Sequence, residues 1–243
     1  MNKYHLNFML FVTLLLLTNS VSARILISPV NLDIAPGSQF TALRLINQSD
    51  NEINFQVRVV NWETNEISKA IILSPVIATL APTQEQVIRI INRSGKASTA
   101  NQSLYRLIVD ELPSARGDDK VRSTLELRMR YALPLTVGGP DMHINRGMKP
   151  EKLEKIWQGK LDVTVGDNQI SIKNKNPGVA RISKLSVFEP EQESEEIYGG
   201  LLGYVLGNSG STFPLDYKRA QVSTLKMNVN GAYIVVPVTD GRR

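Results

Sequence analysis

From residue 24 onward the chain is punctuated every five to eight residues. Short runs of Ile, Leu, Val, Phe and Tyr end in clusters of Pro, Gly, Asn, Asp or Ser, and no stretch holds a helical period. Residues 24–34 are followed by Ala35-Pro36-Gly37, and residues 40–46 by Asn47-Gln48-Ser49-Asp50-Asn51. Residues 54–62 lead into a polar stretch over 63–68, and residues 71–75 and 86–91 complete the first series. Phe40, Ala42, Leu43 and Leu45, like Phe55, Val57 and Val59, supply largely one-sided apolar faces. Regular short strands with polar turns predict an all-β sandwich.

The texture changes after Val137. Gly138-Gly139-Pro140 stops any strand, and the residues up to Pro150 are polar and turn-rich. A second series runs through 160–165, 169–173, 185–188, 212–215, 220–227 and 232–238, with Gly166-Asp167-Asn168 reading as a hairpin turn. The acidic run 189–196 reads as a solvated loop, and residues 150–157 as a helical turn or two at most. The expected organisation is two β domains, 24–144 and 145–243. There is no Cys, so each core has to stand without a disulfide.

Residues 1–23 have a different character. Lys3 precedes an apolar run over 8–17, and Val21-Ser22-Ala23 fits signal peptidase, so this segment reads as a secretory signal rather than an anchor. Removing it leaves 27 basic and 23 acidic residues, a net charge of +4 (27 − 23), since the segment carries one of the 28 bases and no acid. The bases are scattered, without the stripe and stacking aromatics of a nucleic-acid groove. Nothing later in the chain is apolar over a bilayer's length, so membrane insertion is not expected.

Catalytic patterns are missing. His5 lies in the signal segment, and His143, in the connector, is the remaining histidine. No nucleophile elbow, P-loop or paired-His zinc motif occurs, and the adjacent acids Asp110-Glu111 and Asp118-Asp119 would point to opposite faces of a strand. Neither an enzymatic role nor a cofactor or metal is expected.

Residues 103–137 stand apart from the rest. SLYRLIVDELP and STLELRMRYALPLTV form two apolar arms around a polar loop, and in the second arm Leu125, Leu127 and Met129 alternate with Glu126, Arg128 and Arg130. Such an arm presents one apolar and one charged face. It fits a half-buried strand, or a strand that lends its apolar row to another protein.

With those arms in place, the whole exported chain resembles the periplasmic pilus-assembly chaperones of Gram-negative bacteria. The likeness rests on Ser28-Pro29-Val30, Ala35-Pro36-Gly37, Ser74-Pro75-Val76-Ile77-Ala78-Thr79, Gln86-Val87-Ile88-Arg89-Ile90, the arm from Ser103 to Pro113, Trp157-Gln158-Gly159-Lys160-Leu161, and the Asn-Pro turn after Ile172. The resemblance implies two immunoglobulin-like β-sandwich domains in an L-shaped arrangement. It implies a strand lent to incomplete pilus or fimbrial subunits, donor-strand complementation, and their delivery to an outer-membrane usher without ATP. Leu125, Leu127 and Met129, with Val121 two steps earlier in register, would form the donor row, and Ser123 would leave one pocket poorly filled.

The resemblance also implies a basic pair that anchors the subunit's C-terminal carboxylate between the domains. Arg130 matches one member. Asn31 stands where the family has an Arg, so the second charge is missing, with Arg24, Arg128 or a second-domain Lys as candidates to replace it. Gln102, Arg106 and Ile108 stand where the family prefers Glu, an aromatic and Asn, which marks an outlying branch of the short-loop type. The free protein could hide its apolar row in a self-capping dimer. The competing reading is a secreted adhesin or structural surface protein, although Trp62 and Trp157 sit where packing suits them better than display.

Overall fold

The computed structural model describes residues 24–113, 128–140, 148–166, 168–189, 195–216 and 222–240. Nine strands form the first part: β1 (Ile25–Ser28), β2 (Leu32–Ile34), β3 (Phe40–Asn47), β4 (Ile53–Asn61), β5 (Ile71–Ser74), β6 (Ile77–Leu80), β7 (Glu85–Asn92), β8 (Gln102–Leu112) and β9 (Arg130–Gly138). They make two sheets, β1-β3-β7-β5 and β2-β9-β8-β4-β6. Alternation explains how the sheets face one another. In β4, Ile53, Phe55, Val57 and Val59 are buried inward while Asn54, Gln56 and Arg58 look out. These inward residues join Leu43, Leu45, Ile88, Ile90, Leu107, Val109 and Leu135 in one core. Each large side chain so buried contributes roughly 1.5–3 kcal/mol before entropy is counted.

The expected single strand over 24–34 is two strands in different sheets. β1 pairs with β3, β2 pairs in parallel with β9, and the cis Ser28–Pro29 bond lies between them. The same arrangement recurs at cis Ser74–Pro75, where β5 joins the first sheet and β6 the second. Proline ends a ladder because it has no N–H to donate, so the chain leaves one sheet there and crosses to the other.

The second part holds α1 (Pro150–Trp157) and strands β10 (Leu161–Gly166), β11 (Gln169–Asn174), β12 (Ala180–Val187), β13 (Glu195–Val205), β14 (Gly210–Pro214), β15 (Thr224–Val229) and β16 (Ala232–Asp240). They are ordered β13-β12-β15-β16-β10-β11-β14. β16 pairs with β15 over 232–237 and in parallel with β10 over 238–240, so it is shared between the two layers. Leu153 and Trp157 of α1 are buried in the same core as Val163, Ile172, Leu185, Leu225 and Met227. Gly166 pairs with Gln169, in keeping with the expected hairpin.

β13 corrects the reading of the acidic run as loop. Glu195 and Glu196 open an 11-residue strand that carries Gly199, Gly200 and Gly203. It reads poorly from sequence because glycines and charges mask it. It is an edge strand with a largely exposed face, and its register against β12 shifts three times. At Gly203 the absent Cβ leaves room for Phe213, whose ring would lie 2.3 Å from one.

The two cores draw on residues 25–137 and 153–236 respectively. The expected division at 144/145 falls within 141–147, outside the described residues, as do residues 1–23, His143, Val121, Leu125 and Leu127.

Candidate functional site

The β8–β9 pair is the hairpin read from the sequence. Its register runs from Gln102 opposite Gly138 to Asp110 opposite Arg130. Beyond it, the Glu111 N–H donates to the Met129 carbonyl at 3.0 Å. Inward, Tyr131, Leu133, Leu135 and Val137 meet the core. Outward on the same sheet lie Gln56, Arg58 and Val60 of β4, then Leu104, Arg106, Ile108 and Asp110 of β8, then Arg130, Ala132, Pro134 and Thr136 of β9.

β9 is flanked unequally. β8 pairs along its whole length, whereas β2 covers only residues 135–137. Over 130–134 the outer rim of β9 therefore has no strand partner among the described residues. A rim of this kind presents unpaired backbone donors and acceptors to any added strand. Met129 continues it and is 46% exposed.

Beside the rim sits a charge cluster. The Asp110 carboxylate is bracketed by Arg130, whose Nε donates to Oδ1, and by Arg58, whose Nη1 donates to Oδ2. The side chains are 13% exposed for Asp110, 29% for Arg58 and 66% for Arg130. Burial, and then the charge of Arg130, lowers the Arg58 pKa below the ordinary guanidinium value. Sequence reasoning missed Arg58. It lies 52 residues from Asp110, and only the strand order β9-β8-β4 brings the two together.

Asn31 is elsewhere. It is exposed at the bend before β2. Extending the parallel register by one residue sets it level with Pro134, four residues beyond Arg130 and so about 13 Å along the strand at a rise of roughly 3.3 Å per residue. Arg24, offered as a substitute, is committed to Glu111 at 2.7 Å. Tyr131 lies nearby, its hydroxyl donating to the Ile25 carbonyl at 3.4 Å.

The far end of the outward face meets the second core's strands. The Val179 N–H donates to Gln102 Oε1 at 2.9 Å and the Gln102 N–H to the Pro177 carbonyl at 3.2 Å. Trp62 meets Tyr204 edge-on at 4.8 Å, and the Arg106 guanidinium covers the Trp62 ring at 4.3 Å while donating to Asn65 Oδ1. Leu104 and Ile108 are buried although they face outward. Gln102 and Arg106, two positions that depart from the pattern of the resemblance, both take part in this contact. Burial raises the Tyr204 phenol pKa, and nearby Arg181 pulls it part-way down. The raised value means that the contact is intact below the ordinary tyrosine range and is lost as pH rises through the folded value. Absorbance at 295 nm should show a late tyrosinate step that shrinks in Tyr204→Phe.

The model for pili and flagellar-assembly chaperones, PapD N-terminal domain, matches residues 24–138. By this match, residues 24–138 belong to the family of pilus-assembly chaperones. The chain is 24% identical over 161 residues to the chaperone protein LpfB of Salmonella typhimurium, an alignment spanning 66% of each chain. Among solved structures it is similar to the CsuC–CsuE complex of chaperone and tip adhesion subunit from Acinetobacter baumannii. There the TM-score is 0.63 at 24% identity, over 90% of this chain and 99% of that one. The Salmonella enterica SafA pilin complex with the SafB chaperone gives 0.66 at 16% identity, over 90% and 98%. The neighbours have two immunoglobulin-like domains, and the family is one of chaperones rather than enzymes. The adhesin alternative is set aside on these matches. Among the described residues no helix is long and apolar enough to cross a membrane.

Proposed function

We propose that this chain is a periplasmic chaperone that binds, folds and caps pilus or fimbrial subunits by donor-strand complementation and hands them to an outer-membrane usher. The observation that carries the reading is the rim of β9, open over 130–134 and continuing into exposed Met129. A subunit with an unfilled groove needs ladder hydrogen bonds and apolar side chains together, and a strand leading into that rim supplies both. The proposed donor row is Val121, Leu125, Leu127 and Met129. Arg130 is the proposed carboxylate anchor. Asn31 is at most an uncharged helper at the end of the rim. Residues 1–23 serve as the export signal in this scheme, and a second copy capping the row would protect the free protein.

The test is recovery of tagged chaperone from the periplasm of its own host, wild type beside Leu127→Glu. Small exported proteins should co-purify with wild type in stoichiometric amount and be lost from the variant, because a buried carboxylate in an apolar groove is expensive. Wild type recovered without partners while fibres are being made would overturn the reading.

A further inference from the structure

We infer that Met129 is a site of reversible oxidation that switches subunit capture off. A hydroperoxide converts its thioether to the sulfoxide, and the added oxygen keeps the donor row out of an apolar groove. The inference deepens the chaperone reading and rests on it for the groove, which belongs to the subunit.

The six methionines are not placed alike. Met1 and Met9 precede Arg24, and Met142 lies outside the described residues. Met227 is fully buried in the second core and Met148 packs half-buried against it, whereas Met129 is 46% exposed. Alternation sets Met129 on the face of Tyr131 and Leu133, which meet the first core, but Met129 lies past the end of that core. Its backbone is held at both polar groups, so the thioether is displayed from a fixed point. The Glu111 N–H donates to the Met129 carbonyl at 3.0 Å, and the Met129 N–H donates to Glu111 Oε2 at 3.3 Å. In an antiparallel pair bonded this way the return bond ordinarily goes to a backbone carbonyl, and here the Glu111 carboxylate takes it. Glu111 is itself pinned, its side chain 6% exposed and its Oε1 accepting from Arg24 Nη1 at 2.7 Å.

Methionine suits a donor row because its unbranched, polarizable side chain adapts to irregular apolar pockets. The same sulfur is a nucleophile towards peroxide. An S–O bond forms as the O–O bond breaks, sulfur gives up two electrons, and the displaced hydroxide takes the peroxide's remaining proton and leaves as water. The product is a polar, chiral sulfoxide. The chain has no cysteine, so no thiol of its own competes for the oxidant. Free chaperone carries the sulfoxide in water at an exposed position, whereas in an apolar groove its oxygen is buried without a donor. Methionine sulfoxide reductases reverse the step, a dithiol becoming a disulfide as the oxygen leaves as water.

The first arm of the test needs no subunit. The chain from Arg24 onward is treated with limiting hydrogen peroxide and its peptides are mapped by mass spectrometry. Met129 should carry the added oxygen well before Met148 and Met227, with the urea midpoint unchanged. The second arm uses the small exported protein that co-purifies with wild type in the recovery above, unfolded and then diluted into chaperone. Oxidised wild type should capture about tenfold less of it than untreated wild type, the scale of one buried polar group without a partner. Reduction by the two epimer-specific sulfoxide reductases should restore capture. Met129→Leu, which keeps an apolar side chain and removes the sulfur, should capture equally before and after peroxide. In the loaded complex Met129 should be shielded from the oxidant. Met129 reacting no faster than Met227, a lowered urea midpoint, or equal capture by oxidised and untreated wild type would each overturn the inference. So would an equal loss in Met129→Leu, or an unshielded Met129 in the complex. If untreated wild type brings down no exported protein, it is the chaperone reading that falls, and the inference falls with it.

Discussion

Asn174→Ala should destabilise the second sandwich by about 3 kcal/mol, and Asn47→Ala the first by a similar amount. Both side chains are buried, at 1% and 0% exposure, and both hold three carbonyls from one amide. Asn174 Nδ2 donates to the carbonyls of Gly178, Val205 and Leu206 at 2.7–3.2 Å, and its Oδ1 accepts from the Asn176 N–H. Asn47 Nδ2 donates to Asn51, Leu80 and Ala81, and its Oδ1 accepts from the N–H and hydroxyl of Ser49. Alanine leaves these groups buried and unpartnered, at about 1–3 kcal/mol for each one that water cannot reach. The turn is lost as well, because an Asn oxygen bonded to the N–H two residues on is what shapes it. Urea unfolding should show a midpoint lower by about 1–3 M, given a slope of roughly 1–3 kcal/mol per molar. Because the two cores share no residue, each substitution should move one transition and leave the other in place. A single transition moved equally by both would mean that the proposed domains do not unfold separately.

Where the strands lie was written in local pattern, and how they associate was not. The alternation in residues 53–59 gives β4 and its inward face directly, because successive side chains must point to opposite sides. The arms around Gly117 give β8 and β9 through their apolar runs bounded by turn residues, and Gly138-Gly139 ends β9 at positive φ, where a Cβ on Gly138 would lie 2.4 Å from the Ser98 carbonyl oxygen. The crossings at Pro29 and Pro75 are invisible to periodicity, since both halves keep an apolar character while changing sheet. β13 was hidden because an exposed edge strand owes its place to backbone pairing with β12 more than to apolar side chains. The site divides in the same way. Arg130 was proposed from its place in one arm, whereas its relation to Arg58 and its distance from Asn31 depend on strand order and register. No window of sequence contains either.

Arg130→Ala should weaken subunit capture by roughly ten- to hundredfold while the free chaperone stays folded, the range expected from losing one charge-assisted hydrogen bond at about 1.5–3 kcal/mol. The fold should survive because Arg130 is 66% exposed and Asp110 keeps its pairing with Arg58. What disappears is the proposed grip on the subunit. With Arg130 gone, Asp110 and Arg58 neutralise one another, and the exposed guanidinium beside the rim that would hold the carboxylate is absent. Arg130→Lys should retain part of the capture, because the charge remains while the planar fork is lost. Leu127→Glu should add in full to Arg130→Ala, because it acts on the apolar row and not on the anion. Capture by Arg130→Ala equal to wild type, measured as subunit recovered per chaperone, would show that the strand holds the subunit without a carboxylate anchor.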